Sequence, residues 1–354
     1  MIKAAIIGAG IGRDHYAGYR ALPERFEVRA FCDLDEARAR AVVGDDGVAV
    51  TADVQSVIDD PEIDVIDICL PPFLHFSAAK AALEAGKHVI CEKPLVSSMK
   101  EADTLLRLAG QTGRMLTPVF QYRYGLAMAQ LNALRAAGLI GKAFAASMET
   151  HWNRGADYYA VDWRGTWAGE NGGAILGHAI HNHDLLTVLL GPVSRVAATL
   201  ATRVNDIEVE DCAAISFVME SGAVATSSVT LGAGLDTSRI RVCFDGVTAE
   251  SGTEPYSPMT DRWRFFARDP VRQDDVDAVL ATVEEPKSGF SGFLAAFADK
   301  LERDDGEAVK AEEGRRSIEL VTAIYQAARS EQWVQLPLDK TSALYAGWGS
   351  SEPS

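Results

Sequence analysis

The tripeptide Glu92-Lys93-Pro94 places an ammonium group directly after a predicted strand, His88–Cys91. Ligands of open α/β sheets bind beyond the carboxyl ends of the strands, so the Lys93 side chain is expected to face such a ligand. A fixed ammonium group can hold an oxygen atom on which negative charge develops. A solvated turn lysine is the ordinary alternative, but the position at a strand end, next to a proline that fixes the turn, favours a chemical role.

A cluster of glycines, Gly8-Ala9-Gly10-Ile11-Gly12, stands between the first predicted strand and the first predicted helix. Glycines there let the backbone turn tightly and approach a pyrophosphate, which the helix N-terminus also attracts. The usual GxGxxG spacing is altered, because the third glycine comes one residue early and Arg13 stands in its place. Asp33 ends the second predicted strand, where an acid binds the ribose hydroxyl groups of a dinucleotide. A carboxylate repels a 2′-phosphate, so the cofactor prediction is NAD, with NADP less favoured but left open by Arg13 and Arg38.

Three histidines, His178, His181 and His183, lie close together in the sequence. If the segment is helical, His178 and His181 share one face and His183 points elsewhere. The sequence contains no HExxH motif or matched carboxylate set, so no metal site is predicted. Because histidine titrates near neutral pH, one of these side chains could transfer a proton.

Strands and helices alternate over the first 120 residues, which predicts parallel strands joined by crossover helices. Beyond residue 140 the strands are longer and separated by turns, which predicts a largely antiparallel sheet, with a hairpin at Glu220-Ser221-Gly222. The polar, proline-bounded stretch 269–286 is predicted to be a loop. The predicted strands of the first part are Ile2–Ile7, Phe26–Cys32, Gly47–Val50, Val65–Leu70, His88–Cys91 and Met115–Phe120.

Length and composition limit the possible functions. A chain of 354 residues exceeds the usual size of one hydrophobic core, so two domains are expected. The formal net charge of -16 disfavours nucleic acid and anionic membranes as partners. The five cysteines lie in apolar runs without a CxxC motif, which favours a reducing compartment, and we expect a cytoplasmic protein. No apolar run approaches the roughly 18 residues of a membrane span.

Longer patterns resemble those of a known family. They are Pro71-Pro72-Phe73-Leu74-His75, Glu92-Lys93-Pro94, the Gly138-Leu139-Ile140-Gly141-Lys142 turn, Trp163-Arg164-Gly165, and Gly172-Gly173-Ala174-Ile175-Leu176 followed by His181 and Asp184. From residue 2 to about residue 337 the chain resembles the glucose–fructose oxidoreductase/inositol dehydrogenase/rhizopine-catabolism (Gfo/Idh/MocA) family. The resemblance implies an α/β chain with an N-terminal Rossmann doubly wound parallel sheet and a C-terminal α+β domain with a large open, mostly antiparallel sheet. We expect an NAD-binding domain at 1–122, a substrate-binding and oligomerisation domain at 123–340, and a tail at 341–354.

The resemblance also implies that Lys93 and His181 carry the chemistry. Oxidation of a secondary alcohol needs a base for the hydroxyl proton and a cation beside the developing alkoxide. We assign His181 as the general acid/base and Lys93 as the stabiliser, although a lowered Lys93 pKa would make Lys93 the base. One departure from the family pattern is Gly177, where an Asp usually stands four residues before this His; the neighbouring His178 could compensate.

The remaining site predictions follow from the same motifs. Aromatic faces and the forked donors of arginine suit polyhydroxylated rings. The predicted cofactor contacts are Gly8, Gly10, Ile11, Gly12, Asp33, Leu70, Pro71, His75, Glu92, Lys93, Trp163 and Arg164. The predicted substrate contacts are Lys93, Gln121, Arg123, His151, Asn153, Trp163, His178 and His181.

The sequence therefore predicts an NAD(H)-dependent oxidoreductase that moves a hydride between the nicotinamide and a secondary alcohol, or lactol, of a sugar, sugar derivative or cyclic polyol. Two alternatives remain open: an NAD-dependent glycosidase that oxidises its sugar transiently, and a non-catalytic regulator that binds NAD or a metabolite. The expected partners are a small-molecule sugar or polyol and further copies of the chain, as a homodimer or homotetramer formed through the C-terminal sheet.

Overall fold

The computed structural model describes residues 1–304 and 308–349. The chain forms two compact units. The first consists of Met1–Phe120 and Phe290–Ile318, and the second consists of Gln121–Gly289 together with the residues from Glu319 onward. The roles predicted for residues 1–122 and 123–340 stay predictions. Within the described residues, no helix has the length and apolar character that crossing a bilayer would require.

The first unit contains a sheet of six parallel strands. Along the chain its elements are β1 (Ile2–Ile7), α1 (Gly12–Arg20), β2 (Phe26–Cys32), α2 (Glu36–Val43), β3 (Ala49–Thr51), α3 (Val54–Asp59), β4 (Val65–Ile68), α4 (Pro72–Glu84), β5 (His88–Cys91), α5 (Met99–Thr112) and β6 (Leu116–Pro118). The strand order is β3-β2-β1-β4-β5-β6, with every neighbouring pair parallel. The predicted doubly wound Rossmann sheet is confirmed. Its order reverses between β1 and β4, where such folds bind ligands.

The second unit contains a larger, mixed sheet. Along the chain the elements after β6 are α6 (Leu126–Ala136), β7 (Ala143–Asn153), α7 (Ala156–Tyr159), α8 (Trp167–Glu170), α9 (Ala174–Gly177), α10 (Ile180–Leu190), β8 (Val193–Ala201), β9 (Cys212–Met219), β10 (Val224–Thr230), β11 (Gly232–Phe244), β12 (Val247–Glu250), β13 (Arg264–Ala267), α11 (Gln273–Leu280), α12 (Gly289–Arg303), α13 (Ala311–Ser330) and β14 (Val334–Gln335). Of these, α12 from Phe290 onward and α13 as far as Ile318 belong to the first unit. The order of the eight strands is β13-β12-β11-β7-β10-β9-β8-β14. All neighbouring pairs are antiparallel except β7 and β10. This confirms the predicted sheet and the hairpin between β9 and β10.

One face of the eight-stranded sheet carries the core of the second unit. In β7 the side chains of Met148, Thr150 and Trp152 are buried, and they alternate with more exposed neighbours. Helix α10 lies against this buried face, because Asn182 Nδ2 donates a hydrogen bond to Thr150 Oγ1 over 2.7 Å. The buried face therefore positions α10, which carries His181.

Two stretches differ from the sequence predictions. The predicted loop at 269–286 is wrong, because Gln273–Leu280 forms α11. Val276 on this helix is completely buried, and α11 packs against α6 and β13. The predicted tail is also ordered in part: the Trp348 ring is 1% exposed and stacks on Tyr325 with ring centroids 5.6 Å apart. Residues 350–354 of that predicted tail lie outside the described residues.

Candidate functional site

The turn between β1 and α1 requires glycine for steric reasons. Gly8 has a φ of +107°, and a Cβ atom there would lie 2.4 Å from the Cys69 carbonyl oxygen. A Cβ atom on Gly12, the first residue of α1, would lie 3.0 Å from the Ile6 side chain. The helix therefore starts in close contact with β1, which is the arrangement in which a glycine turn lets a pyrophosphate approach the backbone and the helix N-terminus.

Asp33, which follows β2, lies beside this turn. Its Oδ2 atom accepts a hydrogen bond from the Ala9 N–H over 2.6 Å, and its Oδ1 atom accepts one from the Asp35 N–H over 2.9 Å. Both oxygens are thus fixed while the side chain stays half-buried. The exposed Arg38 is close as well, since a Cβ atom on Gly10 would lie 3.3 Å from its guanidinium group. A turn in which Gly8 and Gly12 have no room for a side chain, with a fixed carboxylate beside it, fits a dinucleotide.

The loop after β4 holds Leu70 and Pro71, and the helix α4 that follows carries His75; all three are predicted cofactor contacts. Leu70 and Pro71 are half-buried, but the His75 ring is completely buried. His75 Nδ1 lies 2.7 Å from the Pro94 carbonyl oxygen, and Nε2 lies 2.7 Å from the Leu70 carbonyl oxygen. Contrary to the prediction, His75 has no ring surface for a cofactor. It links the two loops at the carboxyl ends of β4 and β5.

The turn after β5 carries Glu92 and Lys93. Glu92 is 5% exposed, and its Oε2 atom accepts a hydrogen bond from the Lys93 N–H over 3.0 Å. Lys93 is half-buried, and the peptide bond to Pro94 is cis. The glycine turn, Asp33 and Lys93 thus follow β1, β2 and β5 at one edge of the parallel sheet. Open α/β sheets bind their ligands at that edge.

A buried polar network below this turn was not found from the sequence. His15 of α1 lies 2.8 Å from Asp67 Oδ2 through Nδ1 and 3.0 Å from Glu92 Oε1 through Nε2. His15, Asp67 and Cys69 are the one group of three side chains of metal-binding type in the described residues whose N, O and S atoms lie within 4.8 Å of one another. The distance from His15 to Asp67 is that of a hydrogen bond. A sign was available in the sequence, because Asp67 is a charged residue inside the apolar strand Val-Ile-Asp-Ile.

In the second unit, the segment that carries the histidines forms two helices and not one. His178 lies after α9 and before α10, with φ −126° and ψ −59°, so His178 and His181 do not share a helix face. The His178 ring packs edge-on against Trp152 with centroids 5.3 Å apart. The His181 ring is 3% exposed and stacks on Tyr122, with centroids 4.2 Å apart and an interplanar angle of 18°. The stack fixes the orientation of the His181 imidazole.

The two other candidates around α10 are engaged in the protein. His183 Nε2 lies 3.0 Å from Ser227 Oγ, and burial lowers the His183 pKa to about 4, so this ring stays neutral. Arg123 donates to both carboxylate oxygens of Asp184, from Nε over 2.7 Å and from Nη2 over 2.6 Å. This forked, largely buried ion pair holds the short 3-10 helix Gln121–Arg123 against α10. A substrate contact of Arg123 stays a prediction.

The other predicted substrate contacts fall into two groups. Gln121 is 8% exposed, and its Oε1 atom has no hydrogen-bond partner among the described residues. Trp163 and Arg164 are half-buried, and the Arg164 guanidinium carbon lies 3.8 Å from the centre of the Tyr158 ring. His151 and Asn153, by contrast, alternate with the buried side chains of β7 and point to the opposite face of the sheet from α10. The structure therefore separates these two from His178 and His181, contrary to the prediction.

An aromatic cluster with a central arginine was missed. The Arg154 guanidinium carbon lies 5.0 Å from the Trp152 ring, 5.4 Å from the Tyr158 ring and 5.9 Å from the Tyr256 ring. Arg154 Nη1 also donates to Asp236 Oδ2 over 2.9 Å. The cluster shares Trp152 and Tyr158 with His178. The sequence offers little sign of it, because its members come from four separate segments.

A buried carboxylate supports the segment before the histidines. Glu210 accepts hydrogen bonds from the Ile175 N–H over 3.0 Å, the Gly173 N–H over 3.2 Å and the Tyr325 hydroxyl over 2.9 Å. A Cβ atom on Gly173 would lie 1.9 Å from the Glu210 carbonyl oxygen, so only glycine fits there. Burial raises the pKa of Glu210 to about 7. Glu210 thus anchors α9, which leads directly to His178.

Comparisons with known proteins agree with this architecture. The WlbA dehydrogenase from Bordetella pertussis, solved in complex with NADH and UDP-GlcNAcA, superposes with a TM-score of 0.83 at 25% identity, over 96% of this chain and 99% of that one. Levoglucosan dehydrogenase from Pseudarthrobacter phenanthrenivorans is 32% identical over 215 residues, which are 57% of this chain and 54% of that protein. An uncharacterized oxidoreductase of Synechocystis sp. is 27% identical over 248 residues, 65% of each protein. In sequence, the chain thus spans less than two thirds of the length of these two curated relatives.

Two family models match the chain. The model of the oxidoreductase family with an NAD-binding Rossmann fold (GFO_IDH_MocA) matches residues 2–120. The model of the GFO/IDH/MocA C-terminal domain matches residues 128–250. The two matches together span more than half of the sequence, and the chain belongs to the Gfo/Idh/MocA family of oxidoreductases with an NAD-binding Rossmann fold.

Proposed function

We propose that the protein is an NAD-dependent dehydrogenase that acts on a secondary alcohol, or lactol, of a sugar, sugar derivative or cyclic polyol. The observation that carries the proposal is the edge of the parallel sheet in the first unit. There the glycine turn, the fixed Asp33 carboxylate and Lys93 follow β1, β2 and β5. The sugar class is supported by the names of two similar proteins, a levoglucosan dehydrogenase and a dehydrogenase solved with UDP-GlcNAcA.

The chain's own residues suit NAD better than NADP. The glycine turn and the N-terminus of α1 would hold the pyrophosphate, and Asp33 would accept hydrogen bonds from the adenosine ribose hydroxyl groups. The Asp33 carboxylate would repel a 2′-phosphate at the same place. When bound, NAD supplies the acceptor for the hydride that leaves the alcohol carbon.

The proposed roles of Lys93 and His181 follow from their chemistry. The Lys93 ammonium group stabilises the alkoxide oxygen by charge and hydrogen bonding. The His181 imidazole takes the hydroxyl proton during oxidation and returns it during reduction. Its stack on Tyr122 supports this role by holding one ring orientation. The pH dependence of kcat in variants of Lys93 and His181 tests the opposite assignment, in which Lys93 is the base.

For the substrate, we propose the side of the second unit where His178 packs against Trp152 and Tyr158. Aromatic faces suit the C–H faces of a sugar ring, and Arg164, which lies over the Tyr158 ring, offers donors for its hydroxyls. Gln121 precedes Tyr122, the residue that stacks on His181, and offers a further polar group. The buried Gln121 Oε1 atom, which has no partner among the described residues, supports this placement.

The test is turnover of NAD with a panel of levoglucosan, simple glucosides, inositols and a UDP-linked uronic acid. The ultraviolet absorbance of reduced nicotinamide reports the reaction. Lys93→Ala should lower kcat by about 100-fold or more, the usual cost of removing one group that stabilises an oxyanion, and leave the Kd for NAD unchanged. Lys100→Ala, at an exposed lysine of α5, is the matched control and should behave as wild type.

Two results would contradict the proposal. Tight NAD binding without turnover of any panel member would favour the non-catalytic regulator. Cleavage of a glycoside with no net reduced nicotinamide, while the cofactor stays bound, would favour the glycosidase. Lys93→Ala with wild-type kcat would refute the assigned role of Lys93 without excluding a dehydrogenase.

We also propose that a second copy of the chain covers the outer face of the eight-stranded sheet. Many side chains on that face are small or hydroxylated, so a flat sheet surface can approach closely beside the larger Glu149 and His151. The small or hydroxylated side chains include Ser147, Ala197, Thr199, Ala214, Ser216, Thr226 and Ser228. Light scattering after gel filtration should give the molar mass of a dimer or tetramer, and Ser216→Arg should lower the measured mass toward that of the monomer. A monomer at micromolar wild-type concentration would refute this.

A further inference from the structure

The network under the Lys93 turn joins three charged side chains that the proposed reaction does not use. His15 is 1% exposed, Asp67 is completely buried and Glu92 is 5% exposed. Each ring nitrogen of His15 faces a carboxylate oxygen, Nδ1 at 2.8 Å and Nε2 at 3.0 Å. Ionised carboxylates only accept hydrogen bonds, so with both carboxylates ionised the ring carries a proton on each nitrogen. The geometry is that of an imidazolium between two carboxylates.

The surroundings of the ring support this charge assignment. Burial acts against the charged ring, but the Asp67 carboxylate raises the pKa of His15 well above its ordinary value. The other titratable neighbours include Cys69, whose Sγ lies 3.6 Å from Asp67 Oδ1, together with Tyr19 and Cys91, and burial raises the pKa of all three, so they stay neutral. On the Glu92 side lie Lys93 and His75, and burial lowers the His75 pKa, so that ring stays neutral as well. Phe290 closes the remaining side, with ring centroids 4.3 Å apart. His15 is therefore the cation of this site.

The network ends at the backbone of the candidate catalytic lysine. One oxygen of Glu92 bonds to His15, and the other, Oε2, accepts the Lys93 N–H over 3.0 Å. We propose that His15 is a positioning residue for Lys93: it ties Asp67 of β4 to Glu92, and Glu92 fixes the turn from which the Lys93 side chain leaves. This inference rests on the proposed function, in which Lys93 stabilises the alkoxide.

The physical reason for a charged linker is geometric. A charge-assisted hydrogen bond is shorter and stronger than a neutral one, and two at once fix the ring in its plane. If His15 loses its charge, one carboxylate loses its donor inside the protein, and that carboxylate must move or take up a proton. Either response releases Glu92 and loosens the turn. A displacement of about 1 Å at a catalytic group can cost roughly 100-fold in rate.

The test compares Glu92→Gln, Asp67→Asn and His15→Asn with a matched control, His88→Asn. His88 lies at the opposite end of β5, and its ring accepts a hydrogen bond from the Met115 N–H over 3.1 Å. The first readout uses the protein without cofactor: hydrogen–deuterium exchange at the Lys93 amide, resolved by fragmentation in the mass spectrometer. We expect exchange to become at least tenfold faster in the three network variants, and to stay unchanged in His88→Asn.

The second readout is kinetic and separates positioning from simple packing. Glu92→Gln should lower kcat by about 10- to 100-fold, with a smaller change in KM for the sugar. Asp67→Asn removes the anion that keeps His15 protonated, so its kcat should fall as pH rises through neutrality. The kcat of the wild type should follow the same pH profile as that of His88→Asn, without this fall, because His15 in the wild type keeps its proton at neutral pH.

Each outcome decides the proposal. Unchanged Lys93 exchange in Glu92→Gln and His15→Asn, or an Asp67→Asn profile parallel to wild type, would overturn it. If Asp67→Asn does not fold, the other two variants decide by exchange alone. If the wild type turns over no sugar, the proposed function fails while the exchange measurement still shows whether His15 fixes the turn.

Discussion

The buried carboxylate of Glu210 should make the stability of the protein depend on pH in a way that one substitution removes. Glu210 is 5% exposed, and the N–H groups of Gly173 and Ile175 and the hydroxyl of Tyr325 donate to its carboxylate. Burial outweighs these hydrogen bonds and raises its pKa from the ordinary 4.5 to about 7. Glu210→Gln keeps the shape of the side chain and is neutral at every pH.

The sign follows from where the proton is held. Between pH 4.5 and pH 7 the unfolded chain has released a proton that the folded protein still binds, so stability falls as pH rises through this window. Below pH 4.5 Glu210 is protonated in both states and contributes no pH dependence. Each pKa unit corresponds to about 1.36 kcal/mol, and the difference between 4.5 and about 7 therefore gives a loss of roughly 3 kcal/mol at alkaline pH. Glu210→Gln lacks this loss.

Urea unfolding at mildly acidic and mildly alkaline pH, followed by tryptophan fluorescence, measures the effect. Relative to wild type, Glu210→Gln should gain roughly 3 kcal/mol in the free energy of unfolding on going from acidic to alkaline pH. The matched control is Glu208→Gln. Glu208 is exposed and accepts a hydrogen bond from the Trp167 N–H over 3.0 Å. Its substitution should therefore change the free energy of unfolding by the same amount at both pH values. A difference between wild type and Glu210→Gln that is the same at both pH values would refute the reasoning.

Three further substitutions test the site. Gly8→Ala should lower the free energy of unfolding by about 1–3 kcal/mol and abolish NAD binding. The reason is that Gly8 has a φ of +107°, and a Cβ atom there would lie 2.4 Å from the Cys69 carbonyl oxygen. Wild-type NAD affinity in calorimetry would contradict this. Asp33→Ser should weaken NAD binding by about tenfold and raise the NADP-to-NAD affinity ratio, and an unchanged ratio would exclude Asp33 as the selector. Gly177→Asp restores the carboxylate common in the family, at a position where a Cβ atom would meet no other atom within 4 Å. The free energy of unfolding should therefore change by less than about 0.5 kcal/mol, while KM across the sugar panel changes. A large loss of stability would show that the position needs glycine.

The fold could be predicted because its signals are local. Each strand of the first unit is a short apolar run, and the alternation with helices leaves parallel pairing as the simple solution. The β9–β10 hairpin was visible in the turn Glu220-Ser221-Gly222, where Gly222 has a φ of +87°. Helix α11 was missed because its charges and flanking prolines resemble a loop. Its buried residue, Val276, stabilises the helix through tertiary packing, because α11 packs against α6 and β13.

The errors at the candidate site have a different cause. His151 and Asn153 were assigned to the substrate side, but the apolar Met148 and Trp152 occupy the alternate positions and take the buried face. That alternation was readable from the sequence, and a period of two excludes both sets from one face. The helix break at His178 was not readable. The Ala179 N–H bonds to the Ala174 carbonyl and not to that of Ile175, so the regular helical pattern ends there.

The residues that were found and those that were missed differ in how they act. Lys93 and Asp33 stand at the ends of strands, where motif and position coincide, so a sequence pattern marks them. His15 and Glu210 act through partners far away in the chain: His15 bonds to residues 52 and 77 positions later, and Glu210 to a tyrosine 115 positions later. Only the tertiary fold brings such partners together. Burying a charge costs several kcal/mol unless it is paired, so Asp67 inside an apolar strand already required a cationic or donor partner nearby. A charged residue inside an apolar strand that ends at a ligand-binding crevice therefore indicates a buried network that fixes the residues of that crevice. The sequence indicates such a network even where it does not identify the partner residue.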